Sequence, residues 1–128
     1  MRLLLDTHAL IWHIEDSSQM RRNDVAAALT DGTSDICVSM ASFWEMAIKL
    51  GLGKLRLPEP LRRLMDLCAE KGLMVLPISK NHILRVESLE PHHRDPFDRM
   101  LVAQALVDGL ALVSNEEISD RYGVTRIW

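Results

Sequence analysis

The sequence predicts an α/β fold in which a parallel β-sheet is covered by helices on both faces. Short apolar runs alternate along the chain with longer stretches whose apolar residues recur at helical spacing. The short runs are apolar throughout, which is typical of strands buried on both faces of a parallel sheet. Sheets of this kind bind ligands outside the carboxyl ends of their strands, so functional side chains are expected at that edge.

The first half of the chain predicts two strands, each followed by helix. An apolar run stops at Asp6, and an apolar pattern suited to a helix starts at Thr7. Ser17 or Ser18 can cap the next helix, which Asp31 and Gly32 close. The predicted elements are strand 2–5, helix 7–12, helix 18–30, strand 35–39 and a helix from 40 to about 51.

The second half predicts three further strands. Pro58 and Pro60 lie at the start of a helix that ends before Gly72. Pro77 cannot donate a ladder hydrogen bond, so its strand is an edge strand or ends there. The predicted elements are helix 59–71, strand 74–78, helix 81–89, helix 96–108, strand 111–114, a short helix from 115 and a last strand at 125–128.

Length and composition predict one domain spanning 1–128. Hydrophobic residues make up 48% of the 128 residues and charged residues 26%, as in a folded protein. The apolar run at 3–5 is far shorter than a signal-peptide core or the ~20 residues of a membrane span, so a cytoplasmic protein without a membrane segment is expected. Cys37 and Cys68 lack metal-site spacing and are expected to be reduced core residues.

The net charge neither favours nor excludes a nucleic-acid partner. It is −3 for the whole chain, whereas phosphate binding usually accompanies a basic excess. If four acids belong to one metal site, the rest of the chain carries −3 + 4 = +1.

Four acids are expected near the carboxyl edge of the sheet. Asp6 follows the first strand, Glu45 lies in the first turns of the helix after the second strand, and Glu116 follows the fourth strand. Asp98 starts the helix before the fourth strand, so it joins them only if the loop 91–95 crosses that edge.

Each acid alone also fits a helix cap. Asp6 can cap the helix that starts at Thr7, Asp95 can cap the helix of Asp98, and Glu45 and Glu116 lie in sequences that resemble capping boxes. Together, however, converging carboxylates repel one another unless a cation lies between them. Oxygen ligands without histidine or cysteine among them favour Mg²⁺, with Mn²⁺ as a substitute.

Four groups of residues form recognisable motifs along nearly the whole chain. They are Leu3-Leu-Leu-Asp-Thr-His-Ala-Leu-Ile-Trp12, Ser42-x-x-Glu45-Met-Ala-x-Lys49, His93-Arg-Asp-Pro-Phe-Asp-Arg99 with Gln104-Ala105, and Leu112-Val-Ser-x-Glu116 with Tyr122-Gly-Val124 and Trp128. In this order they resemble the motifs of PIN domains, and most closely those of the VapC-type toxins of bacterial toxin-antitoxin pairs. The resemblance implies a Rossmann-like three-layer α/β/α sandwich. It also implies Mg²⁺-dependent endonucleolytic cleavage of RNA by a metal-activated water, and a small antitoxin that covers the site.

The family's acids map onto four positions of this sequence. The first three match Asp6, Glu45 and Asp98, while the fourth falls on Glu116, where the family usually has Asp. The resemblance implies that Asp6 and Asp98 bind metal directly, that Glu45 binds metal or orients the attacking water, and that Glu116 completes the shell or positions a second ion. The implied products carry a 5′-phosphate and a 3′-hydroxyl.

Other polar residues are predicted to support the acids or the substrate. Lys49 follows Glu45 by one helical turn, which fits either a surface pair or a phosphate contact. His92 and His93 are interpreted as part of a polar exposed loop. Alternatively, these two histidines are hypothesised to attract RNA together with Arg94 and Arg99. The full supporting set is Thr7, Ser39, Lys49, Asp95, Arg99 and Asn115.

The resemblance also implies protein partners. A homodimer or a toxin-antitoxin hetero-oligomer is expected, with Trp12, Trp44 and Met46 as contributors to an apolar groove for the antitoxin. The apolar stripe between Leu61 and Cys68 is mostly core by its spacing.

Two other functions fit parts of the sequence. A phosphoryl-handling enzyme, as in haloacid-dehalogenase-like phosphatases or receiver domains, would use Asp6 as a nucleophile, but the chain lacks a second Asp two residues later. A PIN-like module that binds RNA or a partner without cleavage also remains open, because Glu116 replaces Asp and the net charge is acidic.

Overall fold

A computed structural model describes residues 1–128 apart from the side chain of Asn23. Its centre is a five-stranded sheet in the order β3-β2-β1-β4-β5, in which every pair is parallel. The strands are β1 (Arg2–Leu5), β2 (Asp35–Ser39), β3 (Met74–Leu76), β4 (Ala111–Val113) and β5 (Arg126–Ile127). The predicted α/β fold with a central parallel sheet is therefore confirmed.

Helices cover both faces of the sheet, and alternate residues of β1 mark the two cores. Leu3 and Leu5 belong to one buried cluster, whereas Leu4 belongs to the other, because successive strand side chains point to opposite faces. The helices are α1 (Thr7–Ile14), α2 (Asn23–Thr30), α3 (Met40–Gly51), α4 (Leu61–Glu70), α5 (Lys80–Ser88) and α6 (Pro96–Asp108), with 3₁₀ segments at Ser18–Arg21 and Glu117–Tyr122.

Cys37 and Cys68 are buried free thiols, one in each core cluster, as predicted. Burial raises the pKa of both thiols, which keeps them protonated at neutral pH. None of the helices in the described part of the chain is long and apolar enough to cross a membrane.

The predicted helix over 18–30 is wrong as a single element. Arg22 is extended, with φ −64° and ψ 142°, and separates a 3₁₀ turn from α2. Met20 and Val25 are both buried in the same cluster, yet in one continuous helix they would point about 140° apart. The break lets both side chains enter one core.

Two prolines set element ends differently from the prediction. β3 stops at Leu76 rather than at residue 78, because Pro77 has no N–H to extend the ladder. As expected for that proline, β3 is an edge strand. α4 begins after Pro60 instead of at Glu59, because a residue that precedes proline disfavours helical backbone.

Candidate metal-dependent nuclease site

Asp6 lies at the carboxyl end of the central strand β1, with its side chain only 4% exposed. Its amide donates to the carbonyl of Val113 at 3.0 Å, which continues the pairing with β4. As predicted, the carboxylate caps α1 by accepting from the amide of Ala9 at 2.7 Å. Burial raises the pKa of Asp6, and the charge of Glu116 adds to that rise, while the Ser114 hydroxyl and the Ala9 amide oppose it.

Glu45 projects from α3 into the same edge and is 3% exposed. Thr7 Oγ1 donates to Glu45 Oε1 at 2.6 Å, and the same hydroxyl is hydrogen-bonded to Ser42 Oγ at 3.0 Å. Lys49 Nζ donates to Glu45 Oε2 at 2.6 Å, so both carboxylate oxygens have partners. Thr7 therefore joins α1 to α3 through the second acid.

The cap of α3 differs from the predicted capping box. Ser39 is the N-cap residue, and its hydroxyl accepts from the amide of Ala41 at 3.0 Å. Ser42 and Glu45 thus lie inside the helix, and Ser42 contacts Thr7. Glu45 therefore does not cap α3, and its buried carboxylate is paired with Thr7 and Lys49 instead.

Asp98 reaches the site because the loop before α6 crosses the carboxyl edge. Asp95 caps α6 by accepting from the amides of Phe97 and Asp98 at 2.8 and 3.1 Å, with Pro96 in the first turn. The pKa of Asp98 is raised to about 7, first by burial and then by the charges of Asp95, Glu45, Asp6 and Glu116. Four other carboxylates therefore lie close enough to repel a charge on Asp98.

Glu116 and Asn115 follow β4 at the same edge. Glu116 is half-buried, and its amide donates to Ser114 Oγ at 3.0 Å. The charge of Glu116 contributes to the raised pKa of both Asp6 and Asp98. Asn115 is exposed beside it. The 3₁₀ segment starts at Glu117, so the short helix predicted from residue 115 begins two residues later.

Arg99 supports the loop that carries Asp95. Its guanidinium donates to the Tyr122 hydroxyl and to backbone carbonyls. Those carbonyls belong to Val86, Leu89, Glu90 and His93. Arg94, by contrast, is exposed. Of the two arginines expected to attract RNA, the structure therefore ties Arg99 into the protein.

His93 is the site residue that sequence reasoning missed. The sequence predicts a polar exposed loop here, but the His93 side chain is only 15% exposed and its Nε2 lies 3.1 Å from Asp98 Oδ2. The ring Nδ1 accepts from the Asp95 amide, which leaves the proton of a neutral ring on Nε2, facing Asp98. The alignment at Nε2 falls short of a hydrogen bond. A histidine five residues before a helix acid is too weak a pattern to predict this contact.

The donor set fits a hard divalent cation, although the ligands are not preassembled. In the part of the chain that the structure describes, no three acidic, histidine or cysteine side chains already form a group able to hold a metal. Oxygen atoms are nevertheless the ligands that Mg²⁺ or Mn²⁺ prefers. A bound cation would also relieve the repulsion from neighbouring carboxylates that, after burial, raises the pKa of Asp98. Two cavities of about 460 Å³ each lie at the opposite edge of the sheet, where Met1, just before β1, lines both.

Comparisons with known proteins identify the family and the fold of this chain. The family model described as PIN domain matches residues 3–124. The solved structure of VapBC2 from Rickettsia felis, bound to a DNA fragment from its promoter, superposes with a TM-score of 0.73 at 16% identity and covers 98% of this chain and 97% of that chain. VapBC-1 from nontypeable Haemophilus influenzae gives 0.70 at 18% identity, covering 98% and 96%.

A more distant solved structure is that of the PIN domain endonuclease Utp24, with a TM-score of 0.53 at 12% identity, covering 94% of this chain and 75% of that chain. A comparison with curated proteins gives no significant match. At these identities the solved structures establish the shared fold, while the family model establishes the family.

Proposed function

The chain belongs to the PIN domain family, and from that premise we propose that it is a metal-dependent endoribonuclease, the toxin of a toxin-antitoxin pair. PIN domains are generally nucleases, and one similar structure is named an endonuclease. The observation that carries the proposal is the convergence of Asp6, Glu45, Asp98 and Glu116 at the carboxyl edge. There, burial first and then the charges of Asp95, Glu45, Asp6 and Glu116 raise the pKa of Asp98 to about 7.

Asp6 and Asp98 would hold Mg²⁺, or Mn²⁺ in its place, with Glu116 completing the shell or positioning a second ion. A bound cation supplies a water of lowered pKa and charge stabilisation at the phosphate. Asp6 is held rigidly by its cap on α1, and Asp98 is fixed at the start of α6. These contacts orient both carboxylates before substrate arrives.

Glu45 is suited to orient the attacking water. Its hydrogen bonds with Thr7 and Lys49 hold the buried carboxylate in one orientation, from which it would accept a hydrogen bond from the water that attacks the phosphodiester. Asn115, which is exposed, would then hydrogen-bond to a neighbouring ligand or to phosphate, while Asp95 fixes the helix turn of Asp98. Ser39 is completely buried and caps α3, so it supports the helix of Glu45 instead of contacting phosphate. In-line attack would leave a 5′-phosphate and a 3′-hydroxyl.

We further propose RNA as substrate and a small antitoxin as partner, with the protein acting in the cytoplasm as a homodimer or in a hetero-oligomer. The similar VapBC structures support the antitoxin. Trp12, Trp44 and Met46 are the three residues expected in the antitoxin groove. The prediction for Met46 is wrong, because this side chain is completely buried. Trp44 is exposed, whereas Trp12 packs partly buried against Trp128.

The test is cleavage of structured RNA by purified protein with Mg²⁺, with Mn²⁺ and with chelator. We expect chelator-sensitive cleavage by the wild type and at least about a 100-fold loss in Asp98→Asn, as for removal of a group that stabilises the transition state. Asp66→Asn on α4, an exposed acid, is the matched control. If no chelator-sensitive cleavage appears under any condition, the protein is a PIN-like binding module instead.

A further inference from the structure

An exposed aromatic side chain interrupts the buried face of α3 next to the second acid. Trp44 is 59% exposed, although its chain neighbours Phe43 and Glu45 are buried. Its ring meets that of Phe97 edge to face, with centroids 5.2 Å apart and an interplanar angle of 81°. Trp44 directly precedes Glu45, and Phe97 directly precedes Asp98. This aromatic pair, Trp44 and Phe97, therefore bridges α3 and α6 beside two site acids.

The aromatic pair forms one wall of an apolar cavity of about 220 Å³. The other walls come from Ala41, Ile78, Val86, Pro96 and Met100. Phosphate and sugar hydroxyls would be poorly solvated there, so the cavity suits the face of a flat aromatic ring whose polar edge stays in solvent. It is also smaller than the roughly 300 Å³ at which typical small-molecule pockets begin, and so suits one ring better than a helix face.

Building on the ribonuclease function proposed above, we propose that the aromatic pair stacks one unpaired nucleobase of the RNA beside the scissile phosphate. Glu45 and Asp98 each follow one member of the aromatic pair on the same turn of α3 and of α6. A phosphate held by these acids would therefore have its flanking nucleotides within reach of the cavity. Bases splayed out of single-stranded RNA stack on exposed aromatic rings whatever their sequence. The stack would hold the RNA in register with Asp98 and Glu45, and would select single-stranded or looped sites over duplex.

The test crosses a protein change with an RNA change. A short RNA with one mapped cleavage site is compared with versions that lack the base on either side of the scissile bond. For wild-type protein, we expect removal of one of the two bases to lower kcat/KM by about 5- to 140-fold, the range for loss of one base stack. On intact RNA, Trp44→Ala should have a kcat/KM lower than that of the wild type by a similar factor. On the RNA that lacks this base, the variant and the wild type should have the same kcat/KM. Trp44→Phe should keep most of the activity.

Ile83→Ala is the matched control, because Ile83 is 57% exposed on α5. It should cleave both RNAs like the wild type. Thermal unfolding monitors the fold of each variant, and fluorescence anisotropy of the same RNAs in chelator measures binding without cleavage. The anisotropy keeps the stacking role testable even for a protein that does not cut.

Three outcomes would overturn the stacking role. The first is that Trp44→Ala cleaves like the wild type, and the second is that it loses the same factor in kcat/KM on intact and on base-free RNA. The third is that Trp44→Ala has a lower molar mass than the wild type in light scattering, which would assign the aromatic pair to a protein interface. Wild-type protein that cleaves no RNA contradicts the ribonuclease function. Cleavage that does not depend on Trp44 contradicts only the stacking role.

Discussion

Lys49 Nζ lies 2.6 Å from Glu45 Oε2, so a carboxylate that is only 3% exposed has its own cation one helical turn away. The sequence predicts a surface pair or a phosphate contact for Lys49, whereas in the structure the carboxylate of Glu45 is buried. Lys49 keeps a more exposed side chain, 36%, and its pKa is raised first by the hydrogen bond to Glu45. Lys49 thus neutralises one acid of the site from within the protein.

Removing that cation should destabilise the metal-free protein. We expect Lys49→Met to lower the free energy of unfolding by about 1–3 kcal/mol, less than for a fully buried pair because Lys49 is partly exposed to solvent. Mg²⁺ should restore more stability to this variant than to the wild type. Urea denaturation with and without Mg²⁺ measures both effects. The double variant Glu45→Gln/Lys49→Met should recover much of the loss, and an additive loss would contradict the pairing.

Stability of the metal-free protein should fall as pH rises towards neutrality. The pKa of Asp98 rises from 3.8 to about 7 on folding, so in that window the folded protein keeps a proton that the unfolded chain has released. Each pH unit within it therefore costs up to about 1.4 kcal/mol. The raised pKa of Asp6 acts in the same direction.

Urea denaturation at a series of pH values between 4 and 8 measures this slope. Asp98→Asn should flatten it, since the asparagine amide does not titrate. Saturating Mn²⁺ should flatten it too, because a bound cation stabilises the ionised carboxylate. A slope of opposite sign in the metal-free wild type would show that Asp98 is stabilised as an anion.

Substitutions of Asp6 should separate stability from activity. Asp6→Asn keeps a side-chain oxygen for the Ala9 amide and removes a poorly solvated charge, so the metal-free protein should be as stable as the wild type or more so. Asp6→Ala loses the cap and should cost about 1 kcal/mol. Both should abolish RNA cleavage. Urea denaturation and RNA cleavage rates are measured for both variants. If Asp6→Asn cleaves RNA like the wild type, Asp6 has no role in the reaction.

Arg99 and Arg94 should differ although they share one loop region. Arg99→Gln leaves several carbonyls of the loop without a donor, so it should cost about 1–3 kcal/mol in unfolding free energy. Arg94→Gln should leave stability unchanged. If exposed Arg94 contacts phosphate, its loss should weaken RNA binding and lower the salt dependence of the affinity. Denaturation and binding titrations at several salt concentrations distinguish the two, and equal stability losses would contradict the division.

Local patterns predicted the sheet and its first acid. Four apolar runs alternate with helical segments, and Asp6 directly ends the first run, so its position at the carboxyl edge follows from a parallel sheet alone. Glu45 could be placed near that edge for the same reason. Its partner Thr7 could not be predicted, because that contact joins two helices 38 residues apart in sequence.

Loop geometry and burial limited the rest. Asp98 reaches the site through the path of the loop before α6, which periodicity does not encode, and the same path brings His93 to 3.1 Å from Asp98. Met46 and Trp44 both belong to the apolar pattern of α3, yet only the packing shows that Met46 is fully buried and Trp44 exposed. Side-chain burial on a helix with a broad apolar surface depends on neighbours distant in sequence.

Calorimetric titration of Mn²⁺ into the metal-free protein tests the central claim most directly. That claim is that the acids at the carboxyl edge, Asp6, Glu45, Asp98 and Glu116, bind a divalent cation. We expect saturable binding that is tighter at pH 8 than at pH 6, because Asp98 must lose its proton. Binding should be lost or at least about 10-fold weaker in Asp6→Asn and Asp98→Asn, and unchanged in Asp66→Asn. Mn²⁺ binding that is the same in all four proteins, or no binding to the wild type at pH 8, would contradict the assignment.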